Sequence, residues 1–326
     1  MDIYKLLDDC PDILIADSFI VTNKKVQDYN KIVCSISGGS DSDIMLDLCS
    51  KVDPDKKIIY VWFDTGLEYQ ATKEHLKFLE NKYNIKIEVI KASKPIPLTC
   101  RKHGQPFLSK QVSEWIQRLQ RHSFKWEDKS FEELLQEYPK CKASLRWWCN
   151  EYGEKSKFNI DYNKGLKEFM IQNPPRFNIS NKCCYYAKKK PVHDYTSSNN
   201  FDLTLYGVRK SEGGARSSAY KNCFTPKDEK ADEYRPIFWF KIDTKEKYEE
   251  AYGVIHSACY SEYGLTRTGC AGCPFGKDFE KELSIIEKYE PKLFKAVNNI
   301  FGDSYEYTRA YLRFRDDLGK SKEVGN

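Results

Sequence analysis

The segment Ser37-Gly38-Gly39-Ser40-Asp41-Ser42 constrains the fold of this chain more than any other feature. It follows a β-branched run, Lys31–Ile36, and leads into the helically patterned Asp43–Cys49. A glycine turn carrying a buried-type strand into a helix opens a parallel βα unit, and ligands collect at that edge of a parallel sheet. Two further runs, Lys57–Phe63 and Lys86–Ile90, share the strand character. Between them Tyr69–Tyr83 reads as a helix, with Ala71, His75, Leu76 and Leu79 at helical spacing. Strands alternating with helices imply right-handed crossovers, so the expected fold is α/β, a doubly wound parallel sheet.

The alternation stops at Pro95. From there to about Ile179 the chain is polar and Trp-rich, with helical stretches at Ser113–Leu119 and Phe131–Tyr138, which reads as an α-rich insertion. Strand-like sequence returns at Phe201–Val208 and Arg235–Phe240. Lys245–Cys259 and Glu280–Phe301 read as helices and Gly319–Asn326 as a frayed tail. No stretch of 18 apolar residues occurs, so no membrane-spanning helix is expected. The acidic N-terminus lacks the basic start of a signal peptide, and the expected location is cytoplasmic. Twelve cysteines are many for a compartment where structural disulfides are rare, which raises the question of a metal or redox site.

The +5 net charge is concentrated. Asn181–Lys221 holds eight basic residues (Lys182, Lys188, Lys189, Lys190, Arg209, Lys210, Arg216, Lys221) against three acids, which is the whole excess of the chain. A local anion site fits this better than a generally basic surface. In the loop, Gly38 and Gly39 let backbone N–H groups crowd toward an anion. Ser37, Ser40 and Ser42 add hydroxyl donors, and the helix start adds its unpaired N–H groups. The loop is neither a Walker A sequence nor a GxGxxG fingerprint. Asp41 sits awkwardly beside a bare phosphate and reads as a Mg²⁺ ligand or a helix N-cap. Asp64 ends the second strand on the ligand edge, where its carboxylate suits metal or ribose contacts, or else caps the next helix. Arg209 and Arg216 carry planar forks suited to phosphate or sulfate oxygens, the alternative being exposed pairing with Glu212.

SGGSDS resembles the pyrophosphate-loop signature SGGxDS of the PP-loop ATP pyrophosphatase superfamily, related to the adenine nucleotide alpha hydrolases. Asp64-Thr65-Gly66-Leu67-Glu68-Tyr69 resembles the DTG motif of the phosphoadenosine phosphosulfate (PAPS) reductase, or sulfonucleotide reductase, branch. Gly207-Val208-Arg209 with Arg216 resembles its G-x-R motif and later arginine. The resemblance covers about residues 30–95 and 181–277, and the large insertion is similar to phage and mobile-element members. It implies a Rossmann-like PP-loop domain. Ser37, Gly38, Gly39, Ser40, Asp41, Ser42, Asp64, Thr65, Gly66, Gly207 and Arg209 would touch the nucleotide, and Asp41, Asp64, Arg209 and Arg216 would serve catalysis. On this division residues 1–30 are an N-terminal segment. Residues 31–95 and 181–277 are the two parts of the nucleotide-binding domain, 96–180 the insertion and 278–326 a C-terminal helical segment.

Four cysteines stand out, the adjacent Cys183-Cys184 and Cys270-Ala271-Gly272-Cys273, with 85 residues between the pairs. A CxxC of small residues lets two thiolates converge on one metal centre, whereas an adjacent pair suits separate iron corners better than a single zinc. Buried thiol pairs and a Cys₄ zinc site are the alternatives. The arrangement, with KCCYYAKKKP around the first pair, resembles the CC…CxxC pattern of adenosine phosphosulfate (APS) reductases. That resemblance implies a [4Fe–4S] cluster on Cys183, Cys184, Cys270 and Cys273. Cys141, Cys149 and Cys223 read as packing residues. The five histidines form no metal pair, and His193 reads as a surface residue. Trp115, Trp126, Trp147 and Trp148 either pack a helical subdomain or offer stacking surfaces for nucleic acid.

The reductases carry a nucleophilic cysteine near the C-terminus, and no cysteine follows Cys273 here. The leading expectation is therefore ATP pyrophosphatase or adenylyl activation coupled to sulfur transfer, with ATP, Mg²⁺ and the cluster. Reduction of APS or PAPS by a non-standard thiol, and a nucleotide-sensing protein with a structural cluster, are the alternatives. Expected partners are an adenine nucleotide, a sulfur or electron donor protein, and nucleic acid through the insertion.

Overall fold

The computed structural model describes residues 3–8, 10–213, 219–276 and 278–323. The chain divides into two units, Met1–Ser93 with Ala187–Ala271, and Lys94–Tyr186 with Gly272–Asn326.

The first unit is a mixed α/β structure. It begins with two helices, α1 (Ile3–Asp8) and α2 (Ile13–Asp28). Alternating strands and helices follow: β1 (Ile32–Ile36), α3 (Ser40–Val52), β2 (Ile58–Asp64), α4 (Gln70–Tyr83) and β3 (Ile87–Lys91). After the chain returns at Ala187 come β4 (Leu203–Tyr206), β5 (Phe224–Thr225) and β6 (Asp232–Tyr234). The sheet order is β3-β2-β1-β4-β6-β5, parallel except for the antiparallel β5 at its edge. Successive side chains of a strand point to opposite faces, and the core divides accordingly. Ile32, Cys34, Ile36, Ile58, Tyr60 and Trp62 pack with Ile15 and Phe19 of α2 and Ile44 and Leu48 of α3. Val33 and Val61 face the other way, against Phe201 and Tyr195. Both faces are covered, which is why these strands read as continuous apolar runs.

The helix α2 lies in the segment 1–30 that the sequence set apart without assigning it an element, and it buries Ile15, Phe19, Thr22 and Val26 at helical spacing. Its start is nonetheless marked by Asp12, whose carboxylate accepts the Leu14 N–H at 2.9 Å. The run Arg235–Phe240, expected as a strand, is a turn: Phe238 N–H bonds Arg235 O and Phe240 N–H bonds Ile237 O. Pro236 has no N–H to give a ladder. Arg235 is fully buried, and its guanidinium bonds the carbonyls of Asn222 and Cys223, the Thr225 hydroxyl and Glu233, a set of contacts a regular strand would not reach. The helix expected over Lys245–Cys259 is Ile242–Tyr252, stopped by Gly253 in the left-handed region at φ 59°.

The second unit is helical. The helices Lys110–Arg121, Phe131–Glu137, Lys142–Trp148 and Leu166–Gln172 enclose an aromatic core. Trp147 and Trp148 are fully buried, Trp115 stacks on Trp147 at 5.3 Å, and Trp148 Nε1 donates to Glu127 O at 3.0 Å. All four tryptophans of the insertion are core residues, so none is a stacking surface for bases. The helix expected over Glu280–Phe301 is two, Phe279–Tyr289 and Pro291–Glu323, because Pro291 cannot continue a helix but suits the first turn of one. Gly319 to Glu323 is thus helical rather than frayed. Tyr307 and Tyr311 of the last helix pack on Phe169 at 5.0 and 5.6 Å, joining it to the insertion's core. Among the described residues no helix is long and apolar enough to cross a membrane.

Two glycines of this unit make opposite predictions. At Gly104, φ is 106° and an added Cβ would stand 2.1 Å from the Asn178 carbonyl oxygen. Gly104→Ala should destabilise the unit by about 3 kcal/mol or more. Gly302 lies inside a helix with open space at its Cβ position, so Gly302→Ala should stabilise by about 0.5–1 kcal/mol. Denaturant melts of the two variants check both signs.

Candidate functional site

The site grows from the turn between β1 and α3. Gly38 has φ 67°, a backbone conformation that side chains disfavour, and a Cβ there would lie 2.8 Å from Thr72 Cγ2. Ser42 Oγ accepts the Ser37 N–H at 2.9 Å and so folds the loop back on the first turn of α3. Gly39 is the N-cap and supplies no side-chain cap, while Ser40 N–H donates to Tyr260 Oη at 3.1 Å. A Cβ on Gly39 would project among three hydroxyls, those of Ser37, Thr268 and Tyr260, at 3.2–3.3 Å. Gly207, after β4, allows its backbone to approach α3, where an added Cβ would meet Asp41 O and Ser42 Cα at 3.1 Å.

Asp41 is neither a cap nor a bare acid. It lies in the first turn of α3, with Lys245 Nζ 3.1 Å from Oδ1 and Arg209 Nε 2.9 Å from Oδ2. The Arg209 contact is off the N–H axis and therefore electrostatic rather than a directed hydrogen bond. Lys245 also donates to Ser40 Oγ at 2.6 Å. Two cations thus neutralise the carboxylate. Arg209 spends its fork on Asp41 and Ser211, and Glu212 faces Arg267 at 3.5 Å instead. Arg216 lies outside the described residues.

Behind the loop is a buried electrostatic cluster that the scattered histidines did not reveal. Asp43 is fully buried, with His75 Nε2 at 3.0 Å and His256 Nδ1 at 2.8 Å from Oδ2. His256 Nε2 pairs with Glu249 at 2.8 Å. Burial by itself lowers the pKa of His256. Its hydrogen bonds to Asp43 and Glu249 outweigh burial and raise it to about 9, so the imidazolium form is held at neutral pH.

Beside the loop lies a cavity of about 340 Å³, within the range of small-ligand sites. Of the expected residues, Ser37, Ser42 and Gly207 line it; Gly38, Gly39, Ser40, Asp41, Asp64, Thr65, Gly66 and Arg209 do not. Its other walls include Trp62, Glu68, Lys188, Tyr220, Arg267 and Thr268. Lys188 belongs to the basic stretch and was legible as charge. Arg267 and Glu68 carried no separate signal. Asp64 caps its own turn through Oδ1, which accepts the Gly66 N–H at 2.8 Å, and does not cap α4. Thr65 is buried and donates to Glu68 Oε1 at 2.7 Å.

The cysteines divide between the units. Cys270 belongs to the first, where its Sγ donates to Thr65 Oγ1 at 3.5 Å. Cys183, Cys184 and Cys273 belong to the second, together with Cys100, which sequence reasoning missed. A hydrogen bond with Cys100 pushes the Cys183 thiol up, with burial adding to it and Cys184 opposing. The donor set is all sulfur, which suits iron–sulfur clusters and zinc. Among the described residues no group of three or more His, Cys, Asp or Glu side chains is arranged to hold a metal ion.

Residues 31–143, about a third of the chain, match the family model of the phosphoadenosine phosphosulfate reductase domain. The matched segment contains the loop and the DTG turn; the basic stretch and the paired cysteines lie beyond it. No curated protein matches the chain. Among solved structures, the chain is similar to PAPS reductase from Candida auris in a phosphate complex, at 12% identity and TM-score 0.45, over 82% of this chain and 93% of that one. It is also similar to the NH₃-dependent NAD synthetase of Campylobacter jejuni in complex with nitrate, at 13% identity and TM-score 0.37, over 94% and 96%. A third is the U34-tRNA thiolase NcsA of Methanococcus maripaludis with its [4Fe–4S] cluster, at 13% identity and TM-score 0.35, over 91% and 79%.

Two outcomes are expected. Gly39→Val should fold, since its backbone is extended at φ −95°, yet lose nucleotide affinity by about tenfold or more as it fills the hydroxyl cradle; calorimetry with ATP reads this. His256→Gln should lower stability by about 2 kcal/mol, a linkage value discounted for partial exposure. Because the folded pKa is raised above 6.5, the wild-type advantage is fully present below pH 6.5 and fades as pH rises through about 9. Melts across that interval check the sign.

Proposed function

Starting from a PAPS reductase domain at residues 31–143, we propose that this protein is an adenine-nucleotide-dependent enzyme that activates an acceptor by adenylyl transfer and couples this to sulfur chemistry. One observation carries the reading: Ser37 and Ser42, the two ends of the glycine-serine loop that opens α3, line a cavity that also presents Lys188, Arg267 and the Thr268 hydroxyl. Hydroxyls and two cations in one cavity beside a helix start suit the phosphates of a nucleotide. In this reading the loop holds the β- and γ-phosphates. The acceptor bonds to the α-phosphorus, the α–β bridge breaks, and pyrophosphate leaves with its charge stabilised by the cations. Asp41, Arg209 and Lys245 set the loop's position. A Mg²⁺ role for Asp41 would require releasing two ion pairs, so nucleotide binding is assigned to the loop without it.

On their sequence pattern, Cys183, Cys184, Cys270 and Cys273 are proposed to hold a [4Fe–4S] cluster, which would supply an electron or sulfur-orienting centre. The domain match favours a second reading, reduction of APS or PAPS, in which a thiol other than a C-terminal one attacks sulfur. Trapping of radiolabelled pyrophosphate from ATP decides between them. Pyrophosphate release without sulfite release from APS or PAPS is expected; the reverse pattern replaces the first reading by the second, and binding without either product makes the protein a nucleotide sensor. Anaerobically purified protein should carry about four irons per chain, lost when Cys183 or Cys273 is replaced by Ser. Stoichiometric zinc without visible absorption would remove the cluster.

A further inference from the structure

The cavity beside the loop has an electrostatic misfit. Among its lining residues Glu68 is the only carboxylate, and it is nine-tenths buried. An anion in this space meets a like charge that water does not screen, which is costly in a low dielectric. The geometry around Glu68 shows how the conflict is resolved. The Thr65 hydroxyl donates its one proton to Glu68 Oε1 at 2.7 Å, and Thr65 Oγ1 itself accepts the Leu67 N–H at 3.4 Å. The Thr65 backbone also hydrogen-bonds this carboxyl and favours its ionised form; with Oε1 accepting the hydroxyl, a proton taken up would sit on Oε2.

The charged and titratable groups facing this carboxyl are Lys188, which favours its ionised form, and Asp64, which opposes it. Arg267, Tyr206 and Tyr220 line the same cavity, and Cys270 reaches it through Thr65. Burial outweighs the cation and holds Glu68 above the usual carboxylate range even before any ligand arrives. An arriving anion pushes in the same direction.

We propose that Glu68 is the proton-carrying residue of the site, taking up one proton from solvent on Oε2 as the anionic ligand binds and donating it in a hydrogen bond to a ligand oxygen. The inference rests on the nucleotide-binding reading above. It makes the residue a selector for ligands with an acceptor oxygen at that point, phosphate or sulfate, over neutral nucleosides. Linkage fixes the sign. Below the free-state pKa Glu68 is already protonated and nothing is taken up; above the bound-state pKa it stays ionised in both states. Between the two, affinity rises about tenfold for each unit fall in pH.

Titration calorimetry of the full chain with ATP, in buffers of different ionisation enthalpy from about pH 5.5 to about 8.5, counts the protons exchanged. The wild-type protein should show net uptake approaching one proton somewhere in this range. Glu68→Gln, which still accepts the Thr65 hydroxyl, should bind ATP without that uptake and with a flat pH dependence. ATP binding with no uptake at any pH, or uptake that persists in Glu68→Gln, overturns the assignment and leaves the nucleotide reading standing. Failure to bind ATP, APS and PAPS overturns both. Should Glu68→Gln not fold, Thr65→Val, which removes the hydroxyl donated to Oε1, should move the uptake window to higher pH, and an unmoved window overturns the assignment.

Discussion

A carboxylate excluded from water fixes the glycine loop of this molecule. Asp43 sits in the first turn of α3 with no solvent exposure, and an uncompensated charge there would cost more than a domain's typical margin of stability. Its compensation comes from His256, after the helix Ile242–Tyr252, held as the imidazolium by Asp43 and Glu249, while His75 Nε2 of α4 lies 3.0 Å from Oδ2 without a directed hydrogen bond. The charge therefore ties one turn of helix to the segment that carries His256. The loop Ser37–Ser42 enters that turn and inherits its position. The loop's position thus follows from a polar group that is expensive to bury, together with the apolar residues of α3, Ile44 and Leu48, packed against the sheet.

The same principle organises the surface of the site. Acids near an anion-binding loop are tolerated only where a cation or a proton cancels them. Asp41 has Arg209 and Lys245. Glu68, more deeply buried, has Thr65 and the field of Lys188. The cations that face the cavity, Lys188 and Arg267, are different residues from the arginine that the G-x-R motif emphasises. Arg209 contributes by neutralising Asp41.

The second unit holds together by a different means. Several of its helices are only seven residues long, too short to persist alone. What holds them is aromatic packing. Trp115, Trp147, Trp148, Phe169, Tyr307 and Tyr311 fill one core, and the Gly104 backbone passes against Asn178 where no side chain would fit. The insertion and the last helix form one structure because the tyrosines of the helix Pro291–Glu323 complete a core that the insertion leaves open.

By itself the sequence determined the parallel βα pattern, the glycine loop at its ligand edge and the concentration of positive charge, because periodicity, glycine placement and charge density are local properties of a chain. Local signals also misled. A β-branched look at Arg235–Phe240 lost to Pro236 and a buried arginine, and helical periodicity ran across Gly253 and Pro291, whose backbone preferences end helices. Only the tertiary structure decided which charges meet. His75 and His256 are separated by 180 intervening residues with no shared motif, and they meet only because the fold brings both to Asp43. Glu68, Lys188 and Arg267 became a set in the same way. Electrostatic partnership depends on distance and burial, and neither is written in the order of residues.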